Sequence, residues 1–485
     1  MAKINGGIIG PNNPTGPFSA GGVWRLEDAF NAQKAGTWPL VLGYQIPNSL
    51  RFNSGSSDNL ERTFSAPTSG TTWIINFWVK KSSNGSAINL CSRLVDGSNE
   101  DRIRFTSGDA LEWSVYKAGS YAGQLVTTQL FRDNSAWYNI LCVWDTTNAT
   151  AGNRMRMYVN GSEITAFSTD TNPAQNTTSL FNASGSNHRI GSVTSGEYFN
   201  GYMSEIILVD GQALTPSSFG ETDEDTGIWI PKAYTGSFGT NGFYLEFKDS
   251  SALGDDTSGN GNDFTVNNLT SIDQTTDTPT NNFATLNPLV NYQAYPPVLT
   301  EGNLKNTSNA NASNGGTSPS TIVVSQGKWY AEMKVGADKQ DGTALGIVTD
   351  SYRFDYQNDA AFYTSASFSS VAYVGDGRKV ISNTFSSYGA TFTTNDIIGI
   401  AVDLDNDTVT FYKNGVSQGV ISTTLTGGYF ICCYGYNGSV QEMNFGYPPF
   451  TISSGNADAN GFGNFEYAVP SGYYALCTKN LALYG

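Results

Sequence analysis

Residues 397–415 read IIGIAVDLDNDTVTFYKNG, the segment that is most informative about the architecture of the chain. Its first part, Ile397-Ile398-Gly399-Ile400-Ala401-Val402, is apolar at alternate and intervening positions alike, which is typical of a strand buried on both faces. Val409 and Phe411 then alternate with polar residues toward Asn414-Gly415, the dipeptide that favours a tight β-hairpin. The stretch therefore predicts antiparallel β structure.

The same order of features occurs a second time, nearer the N-terminus. There Val143-Trp144-Asp145 precedes Tyr158-Val159-Asn160-Gly161, just as Val402-Asp403 precedes Tyr412-Lys413-Asn414-Gly415. In both places a buried strand ends in Asp, and a half-buried strand ends in Tyr-x-Asn-Gly. The simplest explanation of this repetition is two tandem β-sandwiches, so we expect an all-β protein built from antiparallel sheets.

Alternating apolar and polar residues mark further strands in both regions, because successive strand side chains point to opposite faces. The residues predicted to face the core are Trp73, Ile75, Phe77 and Val79 in the first region, and Trp329, Ala331, Met333 and Val335 in the second. Those predicted to face outward in the second region are Lys328, Tyr330, Glu332 and Lys334. Each region thus has a strand with one core face.

Four parts of the chain differ in composition. We assign 1–45 to an N-terminal anchoring segment, 46–275 to the first sandwich, 276–320 to a linker or crossing segment with little regular structure, and 321–485 to the second sandwich with a C-terminal closing strand. One short amphipathic helix is predicted at about residues 25–35. So short a segment cannot bury the apolar face of that helix, so we expect the helix to dock on another domain or protein.

The composition excludes several classes of function. The 485 residues carry 26 Lys+Arg against 42 Asp+Glu, a formal net charge of −16, which argues against nucleic-acid binding. The one histidine, His188, rules out a His-rich metal centre. The five cysteines contain no Cys-x-x-Cys pair and most have apolar neighbours, which predicts small buried thiols in strands. No apolar run reaches about 18 residues, so we expect no membrane insertion.

Landmarks in both regions resemble those of known families. Leu50-Arg51-Phe52, Asn76-Phe77-Trp78-Val79-Lys80 and Met157-Tyr158-Val159-Asn160-Gly161 resemble the concanavalin A-like (laminin G/pentraxin-like) jelly roll. The segment from Gly327-Lys328-Trp329-Tyr330-Ala331-Glu332 to Asn444-Phe445-Gly446 resembles the SPRY (B30.2) sandwich. Both are recognition folds without an obligatory catalytic centre. The resemblance therefore implies binding rather than catalysis, and no required cofactor.

Two other stretches resemble structural proteins of tailed bacteriophages, especially marine ones. One is Gly21-Gly22-Val23-Trp24 with the following helix and Gly36-Thr37-Trp38-Pro39, and the other is residues 206–232. The resemblance implies a virion protein, made in the host cytoplasm and located on the tail or capsid surface. Such fibres are usually homotrimers, so the resemblance also implies a homo-oligomer, although the sequence shows no sustained heptads.

The combined expectation is a tail fibre or related appendage. Its N-terminal segment would contact other virion proteins, and its sandwich loops would bind a host-surface glycan or receptor. The residues expected to attach it to the virion are Trp24, Leu26, Phe30 and Trp38. The alternatives are a capsid decoration or head-fibre protein and a polysaccharide depolymerase. For the latter, Glu221-Thr222-Asp223 begins a glucanase-like Glu-x-Asp-x-x-Glu pattern, but Thr226 stands where the last Glu is needed.

Two aromatic loops of the second sandwich are candidate ligand sites. Ring faces cover the apolar faces of sugars, and neighbouring amides orient the sugar hydroxyls. The candidate contacts are Tyr352, Asp355 and Tyr356 in one loop, and Tyr434, Tyr436 and Asn437 in the other. The alternative is that these aromatics complete the core or form a subunit contact, and both interpretations stay open.

The loop Asp255–Asp263 concentrates oxygen ligands. Ca²⁺ takes about six to eight oxygens, and laminin G-like domains often bind it through Asp/Asn loops of this kind. The resemblance thus implies a possible calcium site, and the candidate ligands are Asp255, Asp256, Asn260 and Asp263. The alternative is a polar glycine turn held by Asx hydrogen bonds.

Overall fold

The computed structural model describes residues 43–485, except positions 195, 225, 291–295, 311–314 and 353–360. The helix predicted at about residues 25–35 lies outside these described residues. So do the four attachment residues Trp24, Leu26, Phe30 and Trp38. The rest of the chain is nearly all β, with strands arranged in antiparallel sheets, as predicted.

The first eighteen described strands build the N-terminal sandwich and one small hairpin. They are β1 (Ser49–Phe52), β2 (Asn59–Thr63), β3 (Thr72–Lys81), β4 (Ile88–Asp96), β5 (Asn99–Phe105), β6 (Ala110–Lys117), β7 (Ser120–Leu130), β8 (Tyr138–Asp145), β9 (Met155–Val159), β10 (Ser162–Glu163), β11 (Phe167–Thr171), β12 (Asn187–Ile190), β13 (Gly201–Asp210), β14 (Gly220–Thr222), β15 (Trp229–Pro231), β16 (Phe243–Leu245), β17 (Thr265–Asn267) and β18 (Gln274–Thr275).

These strands form two packed sheets. One has the order β10-β9-β8-β3-β13-β1-β18, with β16 paired to β13, and the other has the order β11-β7-β6-β5-β4-β12-β2-β17. Trp73 from the first sheet meets Trp113 from the second edge to face, with ring centroids 5.6 Å apart. The predicted face of β3 is confirmed, because Trp73, Ile75, Phe77 and Val79 all lie in this core. Burying such large apolar side chains contributes about 1.5–3 kcal/mol each.

The second sandwich contains fourteen further strands and the one α-helix of the described chain. The elements are β19 (Val298–Thr300), β20 (Lys305–Thr307), β21 (Gly316–Pro319), β22 (Lys328–Val335), β23 (Ala344–Thr349), β24 (Ser370–Val374), β25 (Arg378–Ile381), β26 (Thr384–Ser387), β27 (Ile397–Asp403), β28 (Thr408–Lys413), β29 (Val416–Ser422), β30 (Tyr429–Gly435), β31 (Val440–Asn444), β32 (Tyr474–Ala475) and α1 (Thr478–Tyr484). No helix among the described residues has the length and apolar character of a membrane span.

Its two sheets have the orders β19-β20-β31-β22-β27-β28-β29, with β32 parallel to β22, and β21-β30-β23-β24-β25-β26. The hairpin prediction is confirmed at both Asn-Gly dipeptides. Asn160 and Asn414 both have φ of 48°, and Gly161 and Gly415 both have φ of 77°. Positive φ at both central residues is the type I′ geometry that matches the twist of antiparallel strands.

The structure differs from the sequence analysis in three places. Strands β19, β20 and β21 lie within the segment expected to have little regular structure, and they pair with the sheets of the second sandwich. The C-terminal strand β32 is followed by the unpredicted helix α1, which has only seven residues and so gives no clear periodic pattern. Tyr330 and Glu332, expected to face outward, are 1% and 0% exposed.

A segment near the C-terminus explains the burial of Glu332. Residues 465–467 cross the outer face of β22, and the backbone N–H groups of Glu466 and Tyr467 each donate to the Glu332 carboxylate at 2.9 Å. The Asn444 side-chain amide and the Tyr330 hydroxyl also donate to this carboxylate, at 3.2 Å each. Burial still raises the pKa of Glu332 to about 7. The outer face of the sheet is therefore a second buried layer.

Buried polar contacts join the two sandwiches. The Tyr202 hydroxyl on β13 donates to the Gly302 carbonyl at 2.7 Å, and the Tyr202 ring packs edge-on against Tyr447 at 6.0 Å. Lys80 on β3 forms an ion pair of 2.8 Å with Asp277 in the segment that leads to the second sandwich, and both side chains are nearly fully buried. One apolar cluster continues from Trp137 and Tyr202 into the core of the second sandwich.

Candidate functional site

One aromatic cluster contains the described residue Tyr352 of the first candidate ligand loop and Tyr434 and Tyr436 of the second. Strand β30 points Ile431 and Cys433 into the sandwich core, so Cys432 and Tyr434 point to the opposite face of the sheet. On that face they meet residues from the segment after β23. This aromatic cluster contains buried Tyr352, Phe362, Tyr363 and Tyr434, with Phe368, Phe430 and Tyr436 partly buried at its edge.

Ring packing holds the cluster together. Tyr434 meets Tyr363 edge to face at 5.5 Å and stacks on Tyr436 at 6.1 Å, while Tyr352 meets Phe368 edge to face at 5.3 Å. The Tyr363 hydroxyl donates to the Gly342 carbonyl at 2.7 Å. Burial, reinforced by Tyr434, raises the pKa of Tyr363 well above its usual value. That hydroxyl therefore stays a proton donor across the physiological pH range.

Burial separates the candidate residues into two groups. Tyr352 and Tyr434 are only 4% and 6% exposed, so their rings pack in the cluster and do not offer a free face to a ligand. For these two residues the structure favours the alternative that the aromatics complete the core. Asp355 and Tyr356 lie outside the described residues. A ligand-binding role stays a prediction for half-buried Tyr436 and exposed Asn437.

Tyr436 and Asn437 form the tip of the turn between β30 and β31. Asn437 has φ of 52° and Gly438 has φ of 77°, so this is another turn that needs residues tolerant of positive φ. The Ser439 N–H donates to the Tyr436 carbonyl at 3.1 Å, and the Tyr436 N–H donates to the Ser439 hydroxyl at 3.1 Å. The turn therefore holds an aromatic ring beside an exposed amide.

The candidate calcium loop is organised around the carboxylate of Asp256. Its Oδ1 accepts the N–H groups of Tyr244 and Ser258 at 2.8 and 2.9 Å, and its Oδ2 accepts the Asn262 N–H at 2.8 Å. Asp263 in turn accepts the Asp256 N–H at 3.0 Å. These are the Asx hydrogen bonds of a polar turn.

Asn260, a third candidate ligand, donates its side-chain amide to the carbonyls of Gly239 and Gly242 at 2.8 Å each, and Asp255 lies exposed at the start of the loop. Among the residues described, no group of three or more His, Cys, Asp or Glu side chains is placed to hold a metal ion. The observed hydrogen bonds favour the alternative, a polar turn held by Asx hydrogen bonds, and calcium binding is left to a direct test.

A buried carboxylate that the sequence analysis missed lies on β13. Glu205 has φ of 52° at a β-bulge and accepts hydrogen bonds from the hydroxyls of Tyr44, at 3.2 Å, and Tyr244. Burial raises the pKa of Glu205 to about 7. The local sequence does not predict that Glu205 is buried, because its two tyrosine partners come from distant segments of the chain. The two hydroxyls anchor the carboxyl group, and the arrangement is that of a structural contact.

Comparisons with known proteins agree with this two-part architecture. A model of the concanavalin A-like lectin/glucanases superfamily matches residues 41–218, and a SPRY domain model matches residues 328–448. Ran-binding protein 9 of Xenopus tropicalis is 31% identical over 175 residues, which cover 32% of this chain and 29% of that protein. The ATP-dependent RNA helicase DDX1 of Xenopus laevis is 30% identical over 138 residues, which cover 27% of this chain and 17% of that protein. The chain thus spans less than a third of either relative.

Two solved structures each resemble about a third of the chain. The SPRY domain of human HERC1 shares 17% identity with a TM-score of 0.28, covering 33% of this chain and 96% of that one. A heptameric SAP-like pentraxin from Limulus polyphemus shares 17% identity with a TM-score of 0.27, covering 36% of this chain and 80% of that one. On the two family matches and the two observed sandwiches, the chain carries a concanavalin A-like domain of the laminin G type followed by a SPRY domain.

Proposed function

We propose that this protein is a non-catalytic recognition component of a tailed-bacteriophage virion, a tail fibre or related appendage that binds a host-surface glycan or receptor. The main support is the pairing of two domains that are typically binding modules and not enzymes. The resemblance of residues 21–39 and 206–232 to phage structural proteins supports the virion part of the proposal.

The recognition part is tested with the purified full-length protein on an array of neutral and acidic cell-surface glycans. We expect selective binding, with no release of reducing ends when the bound polysaccharide is incubated with the protein. Failure to bind any glycan would contradict glycan recognition. Release of reducing ends would establish the depolymerase alternative instead.

The virion part is tested by deletion of residues 1–45 from the phage that encodes the protein. We expect particles that lack the protein, because this segment is the proposed anchor. Unchanged incorporation would contradict the anchoring role. Electron microscopy of labelled particles separates a tail appendage from a capsid decoration or head-fibre protein, and the mass of the purified protein in solution tests the proposed homotrimer.

The names of the curated relatives suggest a second candidate, a protein ligand bound through the SPRY domain. Ran-binding protein 9 of Xenopus tropicalis is named for binding another protein, and it is 31% identical to this chain over 175 residues. Affinity capture from host membranes, with and without enzymatic removal of glycans, distinguishes a glycan ligand from a protein ligand. Capture that survives glycan removal would favour a protein receptor.

A further inference from the structure

Two clefts meet along the contact between the sandwiches. The larger has a volume of about 350 Å³ and runs between Gln274 of the first sandwich and Tyr447 of the second. The smaller cleft has a volume of about 210 Å³ and is also lined by Thr276. Its lining includes Pro47 and Gly463, which precede Asn48 and Asn464 of the larger cleft in the sequence. The two clefts therefore adjoin at Thr276, and we call them together the seam groove.

The seam groove is almost free of charge. None of the thirteen residues that line the larger cleft is charged, although the whole protein has a formal net charge of −16. The smaller cleft has one charged residue, Lys479, whose ammonium donates to the Gln45 side chain at 2.6 Å and lies 5.4 Å from the Phe462 ring centre. In the larger cleft an ionic ligand would lose its hydration without gaining a counter-charge, so that cleft favours an uncharged ligand.

Polar side chains of the groove have unused hydrogen-bonding capacity. The side chains of Asn48, Thr276, Thr451 and Asn464 line the larger cleft and make no hydrogen bond with any residue that the structure describes. Amides and hydroxyls both donate and accept, as the hydroxyl groups of a sugar require. Apolar surface from Ile272, which is 36% exposed, lies among them.

A buried arginine ties the two walls of the groove together. Arg51 is fully buried below the surface and donates to the carbonyls of Ile272 on one wall, at 3.1 Å, and Pro448 on the other, at 3.4 Å. Its charge is balanced by Asp273 at 3.3 Å and Glu301 at 3.7 Å. The shape of the groove is thus held before any ligand arrives, which lowers the entropic cost of binding.

We propose that the seam groove binds an uncharged oligosaccharide, with Asn48, Thr276 and Asn464 orienting its hydroxyl groups and Ile272 and Phe462 covering its apolar faces. The volume of the larger cleft falls in the range of ligand sites, about 300–1,000 Å³. This inference rests on the proposed glycan recognition, because it names the site and the ligand class for that function.

The test uses the full-length protein and an array that holds neutral cello-, malto- and galacto-oligosaccharides beside sialylated and uronic acid-containing ones. The best binder is then titrated by calorimetry against wild type and variants. We expect a neutral binder, at least tenfold weaker binding by Thr276→Trp, which fills the groove, and several-fold weaker binding by Asn464→Ala. Both positions are exposed, so the variants should fold, which circular dichroism confirms.

Two matched controls separate the groove from other surfaces. Thr171→Trp places the same bulky ring at an exposed threonine of β11, and Asn395→Gly removes an exposed amide from a turn of the second sandwich while keeping its positive φ. We expect both to bind like wild type. Binding that is insensitive to Thr276→Trp and Asn464→Ala, or that is selective for acidic glycans, would overturn the groove proposal and leave glycan recognition intact. The absence of any glycan binding would overturn both.

Discussion

Arg51 shows how one side chain can join two domains. It is 0% exposed, and its guanidinium contacts backbone and carboxylate groups that come from both sides of the domain contact. A charge so deeply buried is tolerated only because these partners compensate it. No feature of the local sequence distinguishes it from an ordinary strand arginine.

Replacing Arg51 should therefore be costly. We expect Arg51→Ala to lower the free energy of unfolding by about 3–5 kcal/mol, because Asp273 and Glu301 lose their buried partner. Differential scanning calorimetry measures the effect. The matched control is Arg378→Ala, whose side chain is 48% exposed and pairs with Asp376, and there we expect a loss below about 1 kcal/mol. Equal effects of the two substitutions would contradict the joining role.

Substitutions of Tyr434, at the end of β30, and of Asn437, in the following turn, should differ in their effect on stability. We expect Tyr434→Ala to destabilise the protein by about 3–5 kcal/mol, because it empties a packed position in the aromatic cluster. Asn437→Gly should leave stability within about 0.5 kcal/mol, since the residue is exposed and has φ of 52°. Urea unfolding followed by tryptophan fluorescence measures both. A small effect of Tyr434→Ala would restore its candidacy as a ligand contact.

Among the structural elements, the Asp255–Asp263 loop has an Asp/Asn pattern that is compatible with both a calcium site and a polar turn. The same oxygens could surround a cation or accept the N–H groups of their own turn. In the structure, Asp256 accepts three backbone N–H groups, and Asn260 donates to two carbonyls. The loop is thus complete without a further ligand.

Calcium should have little effect on such a loop. We expect wild-type melting temperatures to agree within about 1 °C with and without calcium at about 10 mM, well above the dissociation constants of about 10⁻⁴–10⁻³ M of extracellular modules. We expect Asp256→Ala to cost more than about 2 kcal/mol in either condition, because it orphans buried N–H donors. A calcium-dependent rise in the wild type that Asp256→Ala abolishes would establish the metal site.

At the scale of the whole molecule, buried acids make stability depend on pH. Burial raises the pKa of Asp58, Asp101, Glu205 and Glu332 to about 7 each, against ordinary values near 4 in the unfolded chain. The folded state therefore binds more protons between about pH 4 and pH 7, and stability rises as the pH falls through that window. His188 acts in the opposite sense, since burial lowers its pKa to about 3, so its contribution is lost as the pH falls below about 6.5.

Because four acids oppose one histidine, we expect the protein to be more stable at pH 5.5 than at pH 8. Each buried acid contributes a slope of at most about 1.4 kcal/mol per pH unit. Thermal unfolding between pH 5 and pH 8 measures the profile, and Glu332→Gln should flatten it, since the amide does not titrate. A melting temperature that falls steadily from pH 8 to pH 5.5 would contradict this assignment.

The amino-acid pattern alone was sufficient to predict several strands, among them β3, β22 and β27, the core faces of β3 and β22, and the two Asn-Gly hairpins. Those features depend on neighbours in the chain: side chains alternate along a strand, and Asn and Gly tolerate positive φ wherever they occur. The same local strand and hairpin pattern occurs around Trp144-Asp145 and again around Val402-Asp403. This repetition was therefore enough to predict two sandwiches.

Which surfaces are covered and which remain open depends on contacts between segments that are far apart in the chain. Glu332 follows the strand pattern of an exposed residue, yet a segment more than a hundred positions later buries it. The seam groove likewise joins Asn48 to Asn464, which come from opposite ends of the chain. Contacts between such distant segments leave no periodic trace in the sequence, because each partner is compatible with its local strand or turn whether or not the other is present.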